Sequence, residues 1–180
     1  MASVLREMLR ERTKEAKVYS TAPFIQPGAI YRFRVNVLKV FKGRKSPLNF
    51  VAELVVVERK LTITEAEVSA LPLDKRPNAI GSSASFLQDL MTDWGPGLVL
   101  GFVAALLDES VDNIRTEENG TTLIEEVAGE ANPCKDLEIW CEAYVAPNKK
   151  GEPSTRTRWT HISAPAGHSL AATDSTRSTP

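Results

Sequence analysis

Lys42, Arg44 and Lys45 crowd into four consecutive positions, and Lys149 and Lys150 form a second cationic pair far along the chain. Ammonium and guanidinium groups gathered in this way suit one chemistry above others, the holding of phosphate oxygens. The first cluster sits in a wider basic stretch. Residues 30–60 carry eight cations, Arg32, Arg34, Lys39, Lys42, Arg44, Lys45, Arg59 and Lys60, against Glu53 and Glu58. Residues 108–138 invert the balance, with ten acids against Arg115 and Lys135. The formal net charge of −1 argues against a protein that coats duplex DNA indiscriminately, but not against a groove that is basic on one side. The competing reading of the same cations is a solvated hairpin.

Other chemistries find less support. Catalysis asks for a base beside a nucleophile, or for a metal cluster. His161 and His168 are the only histidines, and no Gly-x-Ser-x-Gly elbow or Gly-rich Lys-Ser/Thr phosphate loop occurs. Cys134 and Cys141 are the only cysteines and lack the two further ligands of a zinc site. They are expected to be reduced thiols. Glu117-Glu118 and Glu125-Glu126 could ligate a divalent ion but read as a solvated acidic face. The chain reads as non-enzymatic, with no catalytic residue, metal or cofactor expected.

A basic groove gains grip on single strands when aromatic rings offer stacking faces to the bases. Phe41, beside the first cluster, and Trp140 are the stacking candidates. Tyr31 and Phe33 share parity with Val35 and Val37 and are expected in the core. Trp159 is also read as core, because Arg156 and Arg158 alternate with it and take the other face. Trp94 reads as a helix-packing residue rather than a lid. The candidate nucleic-acid-binding set is therefore Arg32, Arg34, Lys39, Phe41, Lys42, Arg44, Lys45, Trp140, Lys149, Lys150, Arg156 and Arg158.

The elements that must position these residues are mostly strands. Residues 30–41 alternate apolar and basic, residues 49–58 are valine-rich, and a turn over residues 43–48 makes a long hairpin with a basic tip. Residues 61–77 read as a polar insertion, with a capped helical turn over residues 64–70. A third strand is expected over residues 79–91, stopped by Gly95-Pro96-Gly97. A buried helix follows over residues 98–107, and a short acidic one over residues 121–127. Residues 137–145 and 154–162 form a closing hairpin. Residues 2–17 read as an amphipathic helix, and the tail from residue 163, rich in Ser, Thr, Ala and Pro, is expected to be disordered. Residues 1–22 are thus an N-terminal appendage, residues 23–162 the domain and residues 163–180 a tail. No stretch has the apolar length of a membrane span or the pattern of a signal peptide, so a soluble intracellular protein is expected.

Three strands, a helix and two more strands is the order of a five-stranded OB barrel. Such barrels bind oligonucleotides using the loops between strands one and two and between strands four and five. Those two loops carry the basic clusters here.

Read whole, residues 24–162 resemble a group of small single-stranded DNA-binding proteins of tailed bacteriophages. The resemblance rests on Pro27-Gly28-x-x-Tyr31, Phe50-Val51-Ala52-Glu53-Leu54 and Asn78-x-x-Gly81-Ser82. It continues through Leu98-x-Leu100-Gly101-Phe102-Val103-Ala104, Glu130-x-Asn132-Pro133 and Lys150-Gly151, taken in that order. It implies an OB-like fold and sequence-tolerant binding of single-stranded DNA, or RNA, during phage genome replication or recombination. A further copy of the chain or phage replication proteins would be its protein partners, and the cytoplasm of the infected host its location. The insertion and the N-terminal segment are longer than the pattern needs, and the tail lacks the acidic tip of many single-strand binding proteins. The alternative is a non-enzymatic docking protein of a phage particle or complex; a small nuclease or accessory subunit is third.

Overall fold

The computed structural model describes residues 22–114 and 117–164. The expected helix over residues 2–17 and nearly all of the expected disordered tail lie outside the described residues. Five strands, β1 (Ala29–Phe41), β2 (Asn49–Leu61), β3 (Ser83–Asp89), β4 (Glu138–Pro147) and β5 (Pro153–His161), form one antiparallel sheet in the order β3-β2-β1-β4-β5. The helices are short: α1 (Glu65–Ala70), α2 (Gly95–Leu107), α3 (Val111–Ile114) and α4 (Glu117–Val127). The mainly β class and the five-stranded antiparallel sheet agree with the sequence reading. Closure differs from it. Strands β3 and β5 are the two edges of the sheet, and among the described residues no hydrogen-bonded ladder joins them. Helix α2 packs against both edges instead.

The core lies on one face of the sheet. Tyr31, Phe33, Val35, Leu54, Val56, Ile139 and Cys141 are fully buried there, at alternate positions of their strands. Phe102 of α2 meets Phe50, Phe86 and Trp159 at ring-centroid distances of 6.0, 5.5 and 4.9 Å, and Phe86 lies 5.1 Å from Trp159. These aromatic contacts draw the free edges toward one helix, where the expected barrel has a ladder. Trp159 faces the core, as expected, but is only half-buried where it packs against it.

Two expectations about boundaries change for physical reasons. Residues 95–97, read as a stop, are the first turn of α2, because proline is tolerated there, where its missing N–H has no helical acceptor. Gly95 allows the close approach this requires, since a Cβ there would overlap the Asp89 carbonyl oxygen. Strand β3 is shorter than expected because residues 79–82 turn back, with the Ser82 amide donating to the Ala79 carbonyl at 3.1 Å. The insertion does carry the expected capped turn: Thr64 and Glu67 complete a capping box at the start of α1.

The alternation of β1 is broken once. A bulge at Asn36 places Val35 opposite Leu54 but Val37 opposite Glu53. Leu38 rather than Val37 is then buried, and Val40 packs against the core. The Asn36 carbonyl accepts from Asn132 Nδ2 at 2.8 Å, which holds the bulge.

Candidate nucleic-acid interface

The bulge has a direct effect on the outer face. Without it, Lys39 and Phe41 would share the inward parity of Tyr31 and Phe33. With it, they join Arg32 and Arg34 on the outer face, where Arg34 and Lys39 are exposed and Phe41 is half-buried. Lys42, Arg44 and Lys45 continue from this face into the hairpin tip and are exposed.

That tip is fastened. The Gly43 amide donates to the Ser46 carbonyl at 2.9 Å, and Asn49 Nδ2 donates to the same oxygen at 3.0 Å. Ser46 is buried, and its hydroxyl donates to Asp89 Oδ1 at 2.6 Å. The Leu90 amide donates to the Leu48 carbonyl at 3.0 Å. The loop between β1 and β2 is thereby tied to the turn that leads from β3 into α2. A loop held by its own polar contacts loses less freedom when it binds.

The second basic loop reaches the same turn. Asn148 organises it: its side-chain oxygen accepts from the Lys150 amide at 2.8 Å and the Glu152 amide at 3.0 Å. Lys149 Nζ lies 5.8 Å from the ring centroid of Trp94, the residue that precedes α2. The turn of residues 89–94 therefore stands between the two loops, joined to one by Ser46 and to the other by Lys149. The rim is not uniformly basic, since Asp89, Asp93 and Glu152 lie along it.

The remaining cations divide into two groups. Arg32 is shared between Glu58 at 3.1 Å and Glu138 at 3.4 Å, and its guanidinium lies 5.9 Å from the Trp140 ring centroid. Arg158 pairs with Glu142 at 2.9 Å and lies 5.4 Å from the Tyr144 centroid. A phosphate would compete with carboxylates at both. Arg34, Lys39, Lys42, Arg44, Lys45, Lys149, Lys150 and Arg156, by contrast, have no ion pair among the described residues. Trp140 is half-buried beneath Arg32 rather than open.

The chain matches no protein-family model and no curated protein.

Burial pushes both the Cys134 and Cys141 thiols up, so neither offers a ready thiolate. His161 Nδ1 contacts Ser163 Oγ at 2.8 Å and Asp108 Oδ1 at 3.5 Å. A proton relay needs the acid and the hydroxyl on opposite ring nitrogens, and here both meet one. No group of three or more His, Cys, Asp or Glu among the described residues is placed to hold a metal ion. Nor is any described helix long and apolar enough to cross a membrane.

A concave feature lies at the end of β2 away from the basic hairpin tip, under the insertion. It has a volume of about 430 Å³ and is lined by Arg59, Val68, Leu73, Arg76 and Pro77 among others. Sequence reasoning missed this cavity, and it also missed Ser46, Asp89 and Asn148 as positioning residues. It read Trp94 as packing, whereas that side chain is 57% exposed. The one available signal was the placement of Trp94 before a Gly-Pro-Gly turn.

Proposed function

We propose that this protein binds single-stranded nucleic acid, with single-stranded DNA as the primary ligand, by neutralising phosphates between its two basic loops. The observation that carries the reading is that eight of the ten candidate cations have no ion pair among the described residues, five of them at the two loop tips on either side of one turn. Contacts of this kind go to the backbone and carry no sequence code, so binding is sequence-tolerant. The strand order, with α2 between β3 and β4, supports an OB-like fold in which the helix fills the gap between the edges. Protection or organisation of single strands during phage genome replication or recombination is the role that fits, in the cytoplasm of an infected host. The test is fluorescence anisotropy at low salt with labelled oligo-dT, a matched duplex and an RNA strand. Tighter binding of oligo-dT than of duplex is expected; equal affinity, or no binding, would refute the proposal.

A second reading, a docking unit of a phage particle or complex, is favoured by the cavity under the insertion. Its size falls in the range of ligand pockets, and Val68, Leu73 and Pro77 give it apolar walls. Retention of a folded, strand-independent complex with a phage structural protein at high salt would favour this reading over the first.

A further inference from the structure

An exposed tryptophan at a basic rim calls for explanation, because a large aromatic left in water forgoes its burial energy. Trp94 is 57% exposed, and exposed Met91 stands in the same turn. Its backbone is fixed rather than loose. Gly95 abuts the Asp89 carbonyl, the Gly95 amide donates to Thr92 Oγ1 at 3.0 Å, and Thr92 Oγ1 donates to the Asp89 carbonyl at 2.9 Å. The Lys149 ammonium lies 5.8 Å from the ring centroid, a contact that is weak when exposed. Phe41 is half-buried and Trp140 lies beneath Arg32, so neither of the two rings expected to stack is as free as this one.

We infer that Trp94 is a stacking platform for an unpaired nucleobase, with Lys149 passing from the ring to the neighbouring phosphate when the strand binds. This rests on the single-strand reading and narrows it to strands that carry free bases. A phosphate chain without bases would meet the cations but leave the ring empty, and a duplex holds its bases in its own stack.

The experiment compares oligo-dT with an abasic strand of equal length, using wild type, Trp94→Ala, Trp94→Phe and Lys149→Ala, with a thermal melt of each. Wild type should prefer oligo-dT, and Trp94→Ala should lose about five-fold or more in affinity for it while binding the abasic strand unchanged. Trp94→Phe should keep part of the preference. Lys149→Ala should lower the salt dependence, which Trp94→Ala should leave intact because stacking releases no counterions. Wild-type affinity for oligo-dT in Trp94→Ala would overturn the inference, as would an equal loss on both strands, while single-strand binding itself would stand. Failure of wild type to bind either strand would refute the single-strand reading and the platform with it.

Discussion

Val35 and Leu38 point into the same core although three positions separate them on one strand, because Asn36 bulges between them. The consequence falls on the other face, where Lys39 and Phe41 come to lie beside Arg34. A single inserted residue thus adds Lys39 and Phe41 to the outer face of the hairpin. Leu38→Ala should cost about 2–5 kcal/mol. Val37→Ala should cost roughly half of that or less, since Val37 is only half-buried. Urea unfolding of the two variants checks the assignment, and a larger loss for Val37→Ala than for Leu38→Ala would mean that the register continues unbroken.

Trp159 closes the aromatic cluster, yet its buried Nε1–H has no hydrogen-bond partner among the described residues. Replacing it with phenylalanine removes that unsatisfied donor and keeps much of the ring. Trp159→Phe is therefore expected to cost under about 1.5 kcal/mol, against about 3–5 kcal/mol for Trp159→Ala. Thermal melts of the two variants provide the measurement.

Alkaline pH should weaken the fold. Tyr31 donates to the Gln26 carbonyl at 2.7 Å and accepts from the Asn78 amide at 3.1 Å. Burial holds its phenol well above the usual range, and burial also holds the Cys141 thiol well above the usual thiol range. Both groups prefer the protonated form in the folded state. Their contribution is complete below the unfolded pKa values, about 8.5 for cysteine and 10 for tyrosine, and is lost as pH rises through the folded values. Stability measured by urea unfolding should fall from about pH 8.5 upward, and Cys141→Ala should blunt the earlier part of that fall. A flat profile up to pH 11 would contradict the burial assigned to both.

Much of this arrangement was legible in the residues and some was not. The bounds of β1, β4 and β5 follow from alternation and turn chemistry, and the basic loops follow from charge alone. The bulge was hidden because Val37 and Leu38 are both apolar, so either could continue the inward series. The start of α2 was hidden because Gly95-Pro96-Gly97 has the composition of a turn, and only the approach to Asp89 makes it helical. The division of the arginines depends on cross-strand register: Arg158 faces Glu142, and Arg32 faces Glu58 on one side and Trp140 on the other.

That division predicts unequal roles within each pair. Arg34→Ala and Arg156→Ala should each remove up to one phosphate contact, lowering the salt slope by ~0.7 on a single strand. Arg158→Ala should change it less, because Glu142 already occupies its guanidinium, and should cost under about 1 kcal/mol of stability at this partly exposed site. Anisotropy titrations at several salt concentrations, beside a melt, separate the two effects.

The most direct measurement is the salt dependence of oligo-dT affinity for three charge variants. One reverses Lys42, Arg44 and Lys45, one reverses Lys149 and Lys150, and one combines the two sets. All five side chains are exposed, so the fold should hold to within about 0.5 kcal/mol per position. If both loops grip one strand, each set of substitutions should lower the slope by ~0.7 per lost phosphate contact, and the combination should remove most of it. A folded Lys149/Lys150 variant that retained the full wild-type slope would show that the second loop does not meet the strand and would contradict the shared groove.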